Sequence, residues 1–158
     1  MANEFAIFDV LRRHGVPFVI IGGHAVNLHG YMRSTEDSDL IWLRSKESEA
    51  ALLAALNEIH AQFITDEIDP TTRIEKASPV TRTFITASHL MMLVTDLGFV
   101  DLFDYVPGDP KAEVSELFKA SIEANGFRFA SVQWLRRMKG ATGRAKDQLD
   151  LDNLPPAT

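Results

Sequence analysis

The chain has no cysteine, so disulfides and thiolate metal sites are excluded and a reducing cytoplasm is compatible with it. No apolar stretch is long enough to span a bilayer, and Met1-Ala2-Asn3-Glu4-Phe5 lacks the basic start and apolar core of a secretion signal. Cations are the minority: 16 Lys and Arg stand against 22 Asp and Glu, a net charge of −6. Non-specific nucleic-acid binding rests on clustered Lys and Arg. The balance therefore disfavours DNA or tRNA as a partner and favours a small-molecule or protein acceptor. No internal repeat or low-complexity tract is present. With 158 residues and 46% hydrophobic content, residues 1–158 are expected to form one domain with a real core, soluble and cytoplasmic, with a helical C-terminal segment from about residue 131.

The informative stretch runs from Gly22-Gly23-His24 through Arg33-Ser34-Thr35-Glu36-Asp37-Ser38-Asp39-Leu40-Ile41. Pro17-Phe18-Val19-Ile20-Ile21 reads as a buried strand, stopped by Gly22-Gly23 and followed by a helical segment from His24 to His29. N–H groups at a helix start are unpaired and carry its positive dipole end, and glycine lets a phosphate approach closely. In an extended strand alternate side chains share a face, so Asp37 and Asp39 project together. Two adjacent carboxylates repel unless a cation joins them, which suits Mg²⁺ held by one or two carboxylates and substrate phosphates. The competing reading is a solvated acidic strand end.

Strand, Gly-Gly, helix, His29-Gly30 and Arg33-x-Thr35-x-Asp37-x-Asp39-Leu40 together resemble the core motif of the polymerase-β-like nucleotidyltransferase superfamily. Its small stand-alone bacterial members, among them toxin–antitoxin and antibiotic-modifying types, are the most similar. The resemblance extends from about Phe18 to about Leu151. It implies an α/β (α+β) fold, a short mixed sheet flanked by helices, and Mg²⁺-dependent transfer of a nucleoside monophosphate from an NTP to a hydroxyl-type acceptor with release of pyrophosphate. ATP is the expected donor, and two Mg²⁺ ions are expected, with Mn²⁺ as a substitute. The alternative is a non-catalytic nucleotide- or protein-binding module of the same fold, such as an antitoxin-like partner of another protein.

Such enzymes use a third carboxylate from a neighbouring strand, and Leu90–Val94, a turn at Thr95–Gly98 and Phe99–Phe103 read as a hairpin that offers Asp101. Asp96 belongs to the turn, and Asp104 falls on the opposite face from Asp101. The resemblance thus assigns Asp37, Asp39 and Asp101 as metal ligands and catalytic residues, and Gly22 and Gly23 as the phosphate turn. Arg33 either binds a phosphate or anchors its loop to Glu36. Lys139, in a C-terminal run similar to the family's terminal signature, either contacts the triphosphate or joins Arg136, Arg137, Arg144 and Lys146 in salt bridges between the last two helices. Two departures stand out. Gly23 replaces a frequent serine, and Ser38 puts a hydroxyl toward the core, which costs about 1 kcal/mol unless it is hydrogen-bonded. His24, His29 and His89 have no metal-ligand spacing and read as packing or hydrogen-bonding residues.

The remaining segments read as scaffold. Helices are expected from Asn3 to His14, ending at Gly15, and from a Ser45 cap to about His60. Asp66 to Ser78 reads as a loop or irregular edge, and Val80 to Thr86 as a strand. Asp109-Pro110 reads as a helix start, and Asn125-Gly126 as a tight hairpin turn.

Overall fold

The computed structural model describes residues 3–156. One mixed sheet contains eight strands: β1 (Phe18–Ile21), β2 (Ser38–Trp42), β3 (Gln62–Ile68), β4 (Glu75–Pro79), β5 (Leu90–Thr95), β6 (Gly98–Phe103), β7 (Ile122–Ala124) and β8 (Phe127–Phe129). Their spatial order is β4-β3-β5-β6-β2-β1-β8-β7. The β2–β6 and β1–β8 pairs are parallel, and every other neighbour is antiparallel. The flanking helices are α1 (Ala6–Arg13), α2 (Gly22–Leu28), α3 (Lys46–Glu58), α4 (Arg82–Ala87), α5 (Val114–Lys119), α6 (Val132–Gly140) and α7 (Ala145–Asn153). A mixed sheet flanked by helices is the expected architecture.

The central strands β1 and β2 are short apolar runs walled in on both faces, and Val19, Ile20, Leu40, Ile41 and Trp42 are fully buried. Continuous apolar sequence is what a strand covered on both sides requires. Strands β5 and β6 alternate instead: Met91, Leu93, Val100 and Leu102 are buried while Leu90, Met92 and Phe99 are exposed. Half of that part of the sheet is therefore covered. Helix α3 begins as expected, with Ser45 accepting from Ser48 N and Ser48 Oγ accepting from Ser45 N, a reciprocal cap. Asn125 and Gly126, with φ of 55° and 84°, form the predicted turn between β7 and β8.

Three local expectations are corrected, and one is made specific: Asp66 to Ser78, expected as a loop or irregular edge, is the edge of the sheet with a register shift between Ile64 and Ile68. Asp66 to Ser78 is a hairpin, because Asp69 Oδ1 accepts from Thr71 N and Thr72 N and so folds the Pro70 turn. Its distal strand residues are exposed on both faces, which removes the alternation that marks a strand. Val80 to Thr86 is largely helix α4: the Thr81 side chain accepts from Phe84 N and caps it, and Phe84 stacks on Phe63 at 4.0 Å between ring centroids. The packing of that one aromatic pair overrides the β-branched composition. Asp109-Pro110 lies in a turn, and the following helix α5 starts after Glu113. Helix α2 begins at Gly22 rather than His24, so both glycines belong to its first turn.

Candidate functional site

The site forms where β1 ends and the chain turns into α2. Gly22 has φ +67°, a left-handed conformation that favours glycine, and a Cβ built there would fall on Asp39 Oδ2. Ile21 pairs with Asp39 across β1 and β2, and Asp39 pairs with Asp101 across β2 and β6. Paired residues share a face, so the two carboxylates face the same side of the sheet. Asp37 lies one bend before β2 and is exposed.

The crowding of these acids shows in their ionisation. Burial, then the charges of Asp101 and Asp37, raise Asp39 to about 6. Burial and the charge of Asp37 raise Asp101 as well, against a hydrogen bond with Asp39 that lowers it. Like charges on neighbouring strands cannot both ionise cheaply without a cation. All donors here are oxygens, the preference of a hard divalent ion. Among the described residues no group of three or more acidic or histidine side chains is gathered closely enough to hold a metal ion; the hydrogen-bonded pair is Asp39 and Asp101.

Gly22, Gly23, Arg33, Asp37, Asp39, Asp101 and Lys139 all line one cleft, although they come from separate parts of the chain. The rival carboxylates lie elsewhere: Asp104 pairs with Arg44 at 2.8 Å and with His89 at 2.9 Å, and Asp96 pairs with His60. Arg33 is anchored, but to Asp150 rather than to Glu36. Its Nε and Nη2 donate to the two oxygens of the fully buried Asp150 at 2.8 and 2.9 Å. Lys139 is also buried and pairs with Asp150 at 2.8 Å and Asp147 at 3.3 Å. Both cations hold Asp150 well below the usual carboxylate range, against burial that raises it. This network ties the loop after α2 to α6 and α7.

Thr35, Arg144 and Lys146 also line the cleft. Thr35 occupies the space beside Gly23: a Cβ at Gly23 would meet Thr35 Oγ1 at 2.5 Å and Arg33 Nη1 at 3.0 Å. Thr35 also donates to Asp37 O at 3.2 Å. Arg144 pairs with Asp147 at 2.7 Å, whereas Lys146, exposed and close enough to lower the Asp39 pKa, has no ion-pair partner within 4 Å among the described residues. The motif Arg-x-Thr already contained Thr35, but its contact with Gly23 is tertiary.

The histidines are structural. His24 packs against Phe5 and Phe8, and burial lowers its pKa. His29 Nε2 donates to Ala130 O at 2.8 Å and so fastens α2 to the end of β8. Ser38 is buried between β1 and β6.

No family model and no curated protein matches the chain. Among solved structures it is similar to a candidate nucleotidyltransferase from Thermotoga maritima, with a TM-score of 0.54 and 18% identity over 92% of this chain and 86% of that one. It also aligns with ANT(2″)-Ia, solved in complex with adenylyl-2″-tobramycin, at a TM-score of 0.45 and 18% identity over 94% of this chain and 77% of that one. A candidate nucleotidyltransferase from Helicobacter pylori aligns at 0.44 and 15% identity over 92% and 63%. The first likeness establishes the nucleotidyltransferase fold. Among the described residues no helix is long and apolar enough to cross a membrane.

Proposed function

We propose that the protein transfers a nucleoside monophosphate from an NTP, ATP foremost, to an acceptor hydroxyl and releases pyrophosphate. The observation that carries this reading is the register Ile21–Asp39–Asp101 at the mouth of the Gly22-Gly23 turn. It sets a paired carboxylate edge against a backbone turn able to receive phosphate. Cations from Arg33, Lys139, Arg144 and Lys146 line the same cleft.

Asp37, Asp39 and Asp101 would hold the divalent cation, Mg²⁺ or Mn²⁺, which when bound neutralises charge on the entering and leaving oxygens of an in-line displacement. The remaining contributions belong to the chain itself. The N–H groups of the Gly22-Gly23 turn orient the β- and γ-phosphates. Lys146, with no ion-pair partner within 4 Å among the described residues, contacts the phosphate chain, while Arg33 and Lys139 keep the wall of the cleft in place through Asp150. Asp101, which lines the cleft beside Asp39, accepts the proton of the acceptor hydroxyl.

The test is calorimetric titration with ATP in the presence and absence of Mg²⁺, followed by incubation with α-labelled ATP and cell extract. Mg²⁺-dependent binding, pyrophosphate release and label on a second molecule are the expected results. Tight binding with no transfer to any fraction would identify a nucleotide-binding module instead.

A further inference from the structure

Two side-chain hydroxyls line the cleft among the described residues, those of Thr35 and Thr142, and they are held differently. Thr142 Oγ1 lies 2.6 Å from Asp147 Oδ2 and 3.2 Å from Lys139 O, so its proton is committed to a carboxylate. The partner of Thr35 Oγ1 among the described residues is Asp37 O, at 3.2 Å. That is longer than the roughly 2.7–2.8 Å typical of an O–H···O bond. A neutral contact of that length is readily exchanged for a shorter bond to an anion. Thr35 is half-buried, and Asp37, the residue it would release, is exposed, so water can replace the lost bond.

Residues 31–36 belong to no helix or strand, yet Arg33 is pinned from three sides. Asn27 Oδ1 accepts from Arg33 N at 3.0 Å, Asp150 takes Nε and Nη2, and Ser34 O accepts from Nη1 at 3.1 Å. Asp150 is fully buried, so the anchor lies inside the protein. Thr35, two residues along, is thereby delivered to one place. It fills the space that a Cβ on Gly23 would need, and Arg33 Nη1 lies 3.0 Å from that same point. Gly22 instead lies against Asp39. One glycine of the turn therefore faces a carboxylate, and the next faces a hydroxyl beside the edge of a guanidinium. A cation belongs on the first side and an anion on the second.

We propose that Thr35 is a phosphate-binding residue: when nucleotide enters, its hydroxyl turns from Asp37 O to an oxygen of the β- or γ-phosphate. The assignment rests on the nucleotidyl-transfer reading above. The same arrangement separates these phosphates from the α-phosphate, because transfer needs the α-phosphorus beside Asp39 and Asp101, on the Gly22 side of the turn. Thr35 thus holds the group that leaves and takes no part in proton removal. Arg33 acts as a positioning residue, fixing through Asp150 the loop that carries the hydroxyl. Gly23 leaves Thr35 the room to reach the turn.

The experiment measures ATP affinity by calorimetry and AMP affinity by displacement of ATP, at one fixed Mg²⁺ concentration, for the full chain and for Thr35→Val, Thr35→Ala and Thr35→Ser. Melting midpoints are read on the same samples. Valine keeps the shape against Gly23 without the hydroxyl, alanine removes both hydroxyl and methyl, and serine keeps the hydroxyl alone. ATP affinity should fall at least about tenfold in the valine and alanine variants and stay within about threefold of the parent in the serine variant, the order expected of one hydrogen bond to a charged group. AMP, which has neither a β- nor a γ-phosphate, should bind all four proteins alike.

ATP bound by Thr35→Val as tightly as by the parent overturns the assignment. So does an equal loss for ATP and AMP, which places the hydroxyl away from the terminal phosphates. A loss as large in Thr35→Ser as in Thr35→Val would trace the effect to packing of the methyl group, and a loss recovered by raising Mg²⁺ would trace it to Asp37; each overturns the phosphate contact. All four of these results leave the transferase reading standing, because the parent binds ATP in each. A parent that binds no ATP removes that reading, and the role of Thr35 falls with it.

Discussion

Thr35 stands where a side chain at position 23 would have to go: a Cβ on Gly23 would come within 2.5 Å of Thr35 Oγ1 and 2.6 Å of Thr35 Cβ. The hydroxyl missing from the turn itself is thus present beside it, delivered by the loop before β2. Gly23 is required here by a neighbour rather than by its own backbone.

Gly23→Ser should therefore destabilise the fold by about 1–3 kcal/mol, the usual range for overpacking, and Thr35→Gly added to it, which removes both the Oγ1 and the Cβ that the new side chain would strike, should recover part of the loss. Urea melts of the two single variants and the double variant measure the coupling. Additive effects would show that the two positions do not compete for space.

Asp39→Asn should abolish Mg²⁺-dependent ATP binding and, in EDTA at pH 8, make the protein more stable than the parent. The Asp39 carboxyl is raised from 3.8 to about 6 by burial and by its acidic neighbours. A group raised in the folded state contributes its stability fully below the unfolded value near 3.8 and loses it as pH rises through about 6. The parent carries this burden at pH 8 and the variant does not, a difference of ~1–3 kcal/mol. At pH 4 the gap should close. A variant no more stable than the parent at pH 8 would mean that Asp39 is not strained by its neighbours.

Asp101→Asn should lower single-turnover transfer by at least about 10², the lower range for a general base, and leave MgATP affinity measurable. Asp37 and Asp39 remain at the nucleotide, while removal of the acceptor proton depends on Asp101. Transfer at the parental rate would exclude that role.

The two lysines should behave differently. Lys146→Ala is expected to weaken MgATP binding about tenfold, equivalent to ~1.4 kcal/mol, with an unchanged melting midpoint, because its side chain has no carboxylate partner within 4 Å among the described residues. Lys139→Ala removes a shared partner of the buried Asp147 and Asp150 and should lower stability by about 3 kcal/mol, as read from thermal melts. Loss of affinity without loss of stability in Lys139→Ala would place that lysine on the phosphates.

The motif from Gly22 to Ile41 was legible from the chain alone because its signals are local. A glycine at φ +67°, a four-residue apolar strand and an alternating Asp-x-Asp each follow from backbone geometry within a few residues. Asp101 was legible for the same reason, since a hairpin turn and a single alternation place it on one face. The segments misread from sequence are those that lack a clear period: Phe84 is helical where Thr81 caps the turn and its ring stacks on Phe63, and the distal residues of β3 and β4 are exposed on both faces, so they carry no alternation.

Sequence by itself determined the carboxylate-and-glycine motif, because short-range sterics and strand alternation act within the chain, and the fold class followed from the resemblance that motif carries. Only the tertiary structure decided which cations are free and which face is open. Arg33 and Lys139 are committed to Asp150, which lies 117 residues from Arg33, and Val19 and Ile41 are buried while Leu90, Met92 and Phe99 on the same face of the sheet are exposed. Ion pairing and layer coverage depend on distances between elements, and no spacing along the chain encodes them.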